Sequence, residues 1–541
     1  MSKKLFALFL VLVLALVMIP GSVAQEVTPA GEYPITTEPV TLKVLIQGHA
    51  IVEDFRTNAF TEWYMEKTGV QLEIEVTPPA SGGGMNEALS LVLASGDLPD
   101  IILGFDIPLS TLSVYGSQGL FLPLNDLIDQ YGFHIQEVYE GSPLVEPLIM
   151  SPDGNIYGLP QVNECYHCYY SQRLYINQQW LDNLGLEMPQ TTEDFFNVLV
   201  AFKEQDANGN GDPNDEIPFA AAATGGNTNL DGFLMNPFVY SEQFNNRYLM
   251  MEDGVIAPAI NTEGWREGLR YLNQMYQAGL FGEESFTQEH TQMRQLIENE
   301  SAALLGALPA HNPSVFASIA GERWKEYTAV PALEGPSGLR QAAYNPYAVS
   351  SGRCVISANT AYPEIAFRFC DGFYDREATL RSVFGLPDEQ WRWAEDGEIG
   401  LNGEPAIWRR LSTFGELQNV HWAQVNPSYR PNHLRLGEAQ RGPEDLEVRL
   451  YSETKERMEP YARPLGDVIP PLSFTLEQAT ELADLELSLE DYIRQMEAEF
   501  VLGRADLDSG WDAYVSTLDT LGLARWVEIH QEAYDTQFGA E

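Results

Sequence analysis

The apolar positions between Val40 and Leu103 alternate between two periods. Val40 to Gln47 reads as a strand ending at Gly48-His49, Phe55 to Lys67 as a helix closed by Thr68-Gly69, and Val70 to Val76 as a second strand. Met85 to Ala94 is helical in pattern. Ser95-Gly96-Asp97-Leu98-Pro99-Asp100 then leads into the strand Ile101-Ile102-Leu103. Strand, helix, strand, helix, strand predicts an α/β unit with a mostly parallel sheet. A second series begins at Leu174-Tyr175-Ile176-Asn177, strand-like, and runs into a short helix carrying Trp180, Leu181 and Leu184 with Gly185 as its stop. Thr191 and Asp194 have capping-box spacing. Phe195, Val198, Leu199 and Phe202 recur at i, i+3, i+4, i+7, the mark of a helix with one buried face. Further on, Trp265–Ala278 predicts a helix, Ala302–Pro309 a small-residue strand, and Cys354–Tyr374 a strand-turn-helix. Leu476–Glu499 and Trp511–Asp535 predict long helices, with Gly503 and Gly522 as stops.

A chain of 541 residues is too long for one ordinary core, so two lobes are expected. Its 44% hydrophobic content, with 25 Tyr, 25 Phe and 10 Trp, describes a globular and aromatic-rich protein. Residues 1–24 have the form of a secretory signal: Lys3 and Lys4, the apolar run Leu5 to Ile19, then Ser22-Val23-Ala24 as a cleavage site. An exported mature protein, cleaved after Ala24 and without a lipid-anchor Cys, is therefore expected. The formal net charge of −47 excludes nucleic acid and anionic lipid as partners, because phosphate binding rests on Lys and Arg. Of the four cysteines, Cys165 and Cys168 form one CxxC with no second metal-ligand pair nearby, leaving a local disulfide or free thiols. Cys354 and Cys370 read as core residues.

The segment Asp206-Ala-Asn-Gly-Asn-Gly-Asp-Pro-Asn-Asp-Glu216 looks like a calcium loop. Calcium wants six to eight oxygen ligands, and Asp/Asn at alternate positions of a tightly turning backbone aim them at one point. Asp206, Asn208 and Asn210 take positions 1, 3 and 5, Gly211 the sharp turn at 6, and the carbonyl of Asp212 position 7. Position 12 is Ile217 rather than the bidentate Glu of an EF-hand, so Asp215 and Glu216 would close the shell earlier, with Asn214 a weaker candidate. The competing reading is a solvated turn rich in Asn, Asp and Gly.

YINQQWLDNLGLEMPQTTEDFF followed by DANGNG and DEIPF resembles the large extracellular solute-binding proteins (family 1) of bacterial ABC importers, in particular the lipoprotein-type and alginate-binding-protein-like members with a calcium loop. LASGDLPDII, QGLFLPLNDLI, SPDGNIYGLP and the C-terminal FVLGRADLDSGWDAYVSTLDTLGL are similar to the same family in the same order. The resemblance implies an α/β fold of the two-lobed periplasmic-binding-protein type (type II), a hinge between lobes and a helical C-terminal region. After the signal peptide 1–24, residues 25–38 read as a polar, Pro-containing linker, and the resemblance implies one lobe from 39–163 plus 350–415 and a second from 164–349 plus 416–541. It further implies a monomer that captures an oligosaccharide and delivers it to ABC permease subunits, with Ca2+ as a structural ion. A peptide or other organic solute is the alternative ligand.

Ligands of open α/β sheets bind at the carboxyl ends of strands, which points to His49 and to Phe105-Asp106. The segments expected between the lobes add Tyr169, Tyr170 and Tyr347, and the family's cleft pattern adds His311, Trp422 and Tyr429. Each aromatic has core packing as its competing role. Arg173 and Arg430 could pair with the carboxylate of an acidic sugar or be structural. Trp391 and Trp393 fit a cleft rim or a lobe surface. A secreted carbohydrate-active enzyme is the competing class. GxSxG, HExxH, P-loop and GxGxxG motifs are absent, and none of the eight His forms a ligand-spaced cluster.

Overall fold

Leu45 and Ile102 point to one side of a sheet, and Val44, Ile46, Ile101 and Leu103 to the other, and all are buried. That is the pattern of strands covered on both faces. In the computed structural model, which describes residues 27–79, 87–242, 248–412, 416–442 and 444–539, these strands lie at one side of a six-stranded sheet. Its order is Tyr429–Arg430, Leu159–Asn163, Val349–Ile356, Ile101–Leu103, Val40–Gln47, Val70–Thr77. Val40–Gln47 runs parallel to both its neighbours, and Val349–Ile356 runs antiparallel to Ile101–Leu103 and Leu159–Asn163. The helix Ala59–Thr68 covers one face, N-capped by Asn58 and stopped by Gly69 at φ 75°. It packs there with Pro363–Asp371, while Glu87–Ser95 and Leu109–Ser117 cover the other face. The Met85 start expected for the helix Glu87–Ser95 lies outside the described residues, as does the expected signal at 1–24.

The second body is built on a four-stranded sheet ordered Tyr327–Ala329, Arg173–Asn177, Leu305–Ala310, Ile217–Phe219. Thr191 and Asp194 form a full capping box on the helix Thr192–Glu204, and Phe195, Val198, Leu199 and Phe202 are all buried. Their burial joins this helix to a core shared with Trp180, Trp265 and the C-terminal helices Leu476–Val501, Leu507–Thr520 and Leu523–Phe538. Asn273 on the helix Glu263–Gln277 donates to the carbonyls of Phe500 and Val501 at 3.2 and 2.9 Å, satisfying the end of the long helix. No helix among the described residues is long and apolar enough to cross a membrane.

Three expectations change. Residues 27–38, expected within a linker, lie against the first body: Ile35 has no exposure, and Arg368 donates to the carbonyls of Thr28 and Glu32. A polar, Pro-containing composition hid one anchoring isoleucine. Trp422, Ala423 and Val425 sit in the core of the first body, Tyr429–Arg430 pairs with Leu159–Asn163, and Leu434 and Gly437 to Gln440 still pack and hydrogen-bond against residues 380–408, so the chain does not pass to the second body at 415. Cys354 and Cys370, read as core thiols, are joined by a disulfide across a sequence separation of 16, as Cys165 and Cys168 are across 3. Sequence spacing does not reveal that the strand at Cys354 and the helix at Cys370 lie face to face.

Candidate functional site

Strand direction locates the site. Val40–Gln47, Ile101–Leu103 and Leu159–Asn163 all end at the same edge of the first sheet, because Val349–Ile356 is antiparallel to the last two. From that edge the chain crosses through the 3-10 turn Tyr166–Tyr170 directly into Arg173–Asn177 of the second sheet. Arg173 pairs with Ala310, which places His311 and the start of this strand at the edge facing the first body. Both sheets therefore turn an edge toward the crossing chain, which forms the floor of the candidate cleft.

On the first wall, His49 follows its strand and is half-buried, its Nδ1 accepting from the Ile51 amide at 3.4 Å. Burial, and secondarily the charge of Arg353, hold its imidazole below the usual range. Asp106 is ion-paired with Arg353: Nη2 donates to Oδ2 at 3.0 Å, and Nε lies 2.6 Å from Oδ1, though neither of those two atoms finds a hydrogen-bond partner. His421 lies close enough for His49 to affect it, and burial takes it down to about 4. On the second wall, the His311 amide donates to the Gly226 carbonyl at 2.8 Å and its ring sits 2.6 Å from the Asn312 side chain. Gly225, Gly226 and Asn227 all have positive φ, of 88°, 65° and 58°, which makes the tight loop beside it.

The floor holds the aromatics. Tyr169 and Tyr347 line one cavity of about 260 Å³ together with Glu164, Pro346 and Asn432. Tyr169 accepts from Asn432 Nδ2 at 3.2 Å, and Tyr347 donates to the Val468 carbonyl at 3.0 Å. Glu164 is satisfied at both oxygens, by the Ser142 hydroxyl at 2.6 Å and the Asn432 amide at 2.7 Å. Tyr429 stands beside it, its hydroxyl 3.4 Å from Ser142 Oγ.

The remaining expected residues are structural. Phe105 has no exposure and packs with Leu45, Leu89 and Ile102. Trp422 is fully buried, edge-on to Phe55 and Phe60, and its Nε1 donates to Thr61 at 2.8 Å. Tyr170 is buried against Tyr344 at 5.0 Å. In each case packing outcompetes exposure, because apolar or aromatic side chains from distant parts of the chain close over the ring. Arg173 donates to the carbonyls of Tyr170 and His167 and to Thr454 Oγ1, and Arg430 to Gln424 at 2.8 Å, so both are structural arginines. Trp391 is buried, and Trp393 is exposed on a two-stranded ribbon with Trp408–Arg410. Sequence reasoning missed Arg353, Glu164, Asn432 and Tyr344. Of these, Arg353 carried a signal, as a charged residue inside the apolar strand around Cys354-Val355-Ile356.

The loop Asp206–Glu216 is a closed knot of side chains. Asp206 Oδ2 accepts from the Gly211 amide at 3.0 Å, Asn208 and Asn210 donate to Asp215 at 2.9 and 2.7 Å, and Glu216 Oε1 accepts from the Asn208 amide at 3.3 Å. Asp206 Oδ1 and Glu216 Oε2 are buried with no hydrogen-bond partner. Burial raises the Glu216 carboxyl. Two unpartnered buried carboxylate oxygens in one acidic loop fit a hard cation. Asp206, Asp215 and Glu216 do not, however, bring three oxygens within 4.8 Å of one another, as Cys165, His167 and Cys168 do with their ligand atoms. Those two thiols are consumed in their disulfide.

A profile of the family described as bacterial extracellular solute-binding protein matches residues 58–381. The fructooligosaccharide ABC transporter substrate-binding protein FusA of Streptococcus pneumoniae serotype 4 is 28% identical over 467 residues, which is 83% of this chain and 82% of that one. The solved structure of S. pneumoniae FusA in complex with kestose is similar with a TM-score of 0.72 at 25% identity, over 93% of this chain and 100% of that one. A FusA EF-hand mutant in complex with fructo-nystose matches with a TM-score of 0.71 at 24% identity, over 93% and 100%. An extracellular solute-binding protein from Bifidobacterium longum subsp. infantis shares the two-lobed fold, with a TM-score of 0.78 at 21% identity over 92% and 98%.

Proposed function

The chain belongs to the bacterial extracellular solute-binding protein family, and from that premise we propose that it is the receptor of an ABC importer that captures an oligosaccharide between its two lobes and hands it to the permease. The observation that carries this reading is the floor of the cleft: Tyr169 and Tyr347 share a cavity with Glu164 and Asn432 where the chain passes between the sheets. Sugar rings have apolar faces and polar edges, and such a floor offers both kinds of surface. The FusA relatives, named for fructooligosaccharides and solved with kestose, support the ligand class. Export through residues 1–24, and a working site outside the cytoplasm, belong to the same reading.

Binding is reversible and needs only that the closed form hold the ligand better than the open one, with the crossing chain as hinge. Asp106 and Glu164 are engaged with Arg353, Ser142 and Asn432, an arrangement that supports binding rather than proton transfer to a sugar. Asp206, Asn208, Asn210, the Asp212 carbonyl, Asp215 and Glu216 would hold a calcium ion that ties the helix Thr192–Glu204 to the strand Ile217–Phe219. Held there, an ion would supply only a cross-link between these elements, away from the cleft. A thermal-shift screen over oligosaccharides and peptides tests the ligand class. An oligosaccharide at a hundred times its Kd should stabilise the fold by about 2.7 kcal/mol. Shifts confined to peptides would overturn it.

A further inference from the structure

The arginines at the cleft edges make hydrogen bonds within the protein. Arg173 donates through Nε and Nη2 to two backbone carbonyls and Thr454, with Nη1 buried and without a hydrogen-bond partner, and Arg430 donates through Nη1 to Gln424. Arg435 rests against Asn163 Oδ1 at 3.4 Å. Arg353 is the one that stands at the ends of Val40–Gln47 and Ile101–Leu103, and its guanidinium is ion-paired with Asp106 through one hydrogen bond, Nη2 to Oδ2 at 3.0 Å, while Nη1 faces the carbonyls of Gly104 and Val425 at 3.4 Å each. This close ion pair takes up the charge by which the arginine would otherwise hold a ligand carboxylate. The Asp106 side chain is 30% exposed and that of Arg353 15%, so the carboxylate is the partner nearer to solvent. Glu164 adds a second negative charge on the floor. His49 and His311 are held below their usual range by burial and bring no compensating positive charge at neutral pH.

We propose that Asp106 is a specificity-determining residue: by occupying Arg353 it leaves the first wall of the cleft without an anion-accepting group, so the site takes uncharged oligosaccharides and rejects those carrying uronate carboxylates. The proposal rests on the oligosaccharide reading above and sharpens it to a charge class. A uronate entering this cleft meets two carboxylates and would have to displace one of them from its arginine. A hydroxyl-bearing sugar meets oriented acceptors and the two tyrosines instead.

The test is calorimetric titration, at neutral pH and low salt, with length-matched neutral oligosaccharides (fructo-, galacto- and xylo-series) and oligogalacturonides. It uses the wild-type protein and the variants Asp106→Asn and Asp106→Ser, each checked for an intact melting transition. Wild type should bind a neutral series and no uronide. Freeing Arg353 should give at least one variant measurable uronide binding, with a relative preference for uronide improved by about tenfold or more. Uronide binding by the wild type overturns the inference and leaves the oligosaccharide reading standing. So does a folded pair of variants that keep neutral-sugar binding without gaining uronides. Absence of binding to either series by the wild type removes the oligosaccharide reading, and this inference with it.

Discussion

Trp422 and Tyr347 show how a single residue's surroundings decide its role. Both are large aromatics near the cleft, but Trp422 is enclosed by Phe55, Phe60 and Phe373, while Tyr347 lines the cavity at the crossing. Trp422→Phe removes the hydrogen bond to Thr61 and should cost about 1–3 kcal/mol of stability without changing ligand affinity. Tyr347→Ala should do the reverse. Paired denaturation and titration of the two variants check this, and loss of affinity in the folded Trp422→Phe variant would contradict the assignment. His421 carries a pH signature. Burial holds it at about 4, whereas the unfolded chain takes its proton near 6.5, so its contribution is intact above about 6.5 and is lost as pH falls from there toward 4. Other buried groups titrate over the same range. The comparison of interest is therefore wild type against His421→Gln, whose stability should fall less steeply between pH 7 and 4.5. Identical slopes would contradict it. Sequence could not distinguish these roles, because both residues are aromatic and what separates them is which neighbours arrive from distant parts of the chain.

Elements were more legible. The strand Val40–Gln47 and the helix Thr192–Glu204 carry their signals locally, in alternation, capping and Gly stops, and they form where the pattern places them. The disulfide between Cys354 and Cys370 was not legible, since it depends on a strand and a helix meeting in space. Closing a loop of 16 residues, it should stabilise the fold by about 3 kcal/mol in the chain-entropy view. Chemical denaturation of wild type against a Cys354→Ala/Cys370→Ala double variant measures that, and equal midpoints would contradict it. The acidic loop is legible as a motif, and its two unpartnered buried oxygens, on Asp206 and Glu216, give it physical content. Calcium should raise the melting temperature, a chelator should lower it, and Asp206→Ala should abolish both responses while leaving ligand affinity unchanged. A wild-type transition indifferent to calcium would mean that the loop is a solvated turn.

At the scale of the whole molecule, the two sheets share an arrangement that neither shows alone. Each brings an edge to the same cleft, and the backbone between Asn163 and Arg173 is short enough to act as a hinge. The order of strands and helices announced the first α/β body, and the length of the chain and the family resemblance a second. It did not announce that Tyr429–Arg430 returns to the first sheet, because a two-residue strand leaves almost no periodic signal. The central claim is that this cleft closes reversibly on an oligosaccharide and does not transform it. The most direct measurement is isothermal titration with a neutral oligosaccharide at several temperatures, followed by recovery of the sugar. The account predicts saturable one-to-one binding, a negative heat-capacity change from buried ring faces, and an intact ligand. Heat that continues without saturation, together with a cleaved sugar, would contradict it.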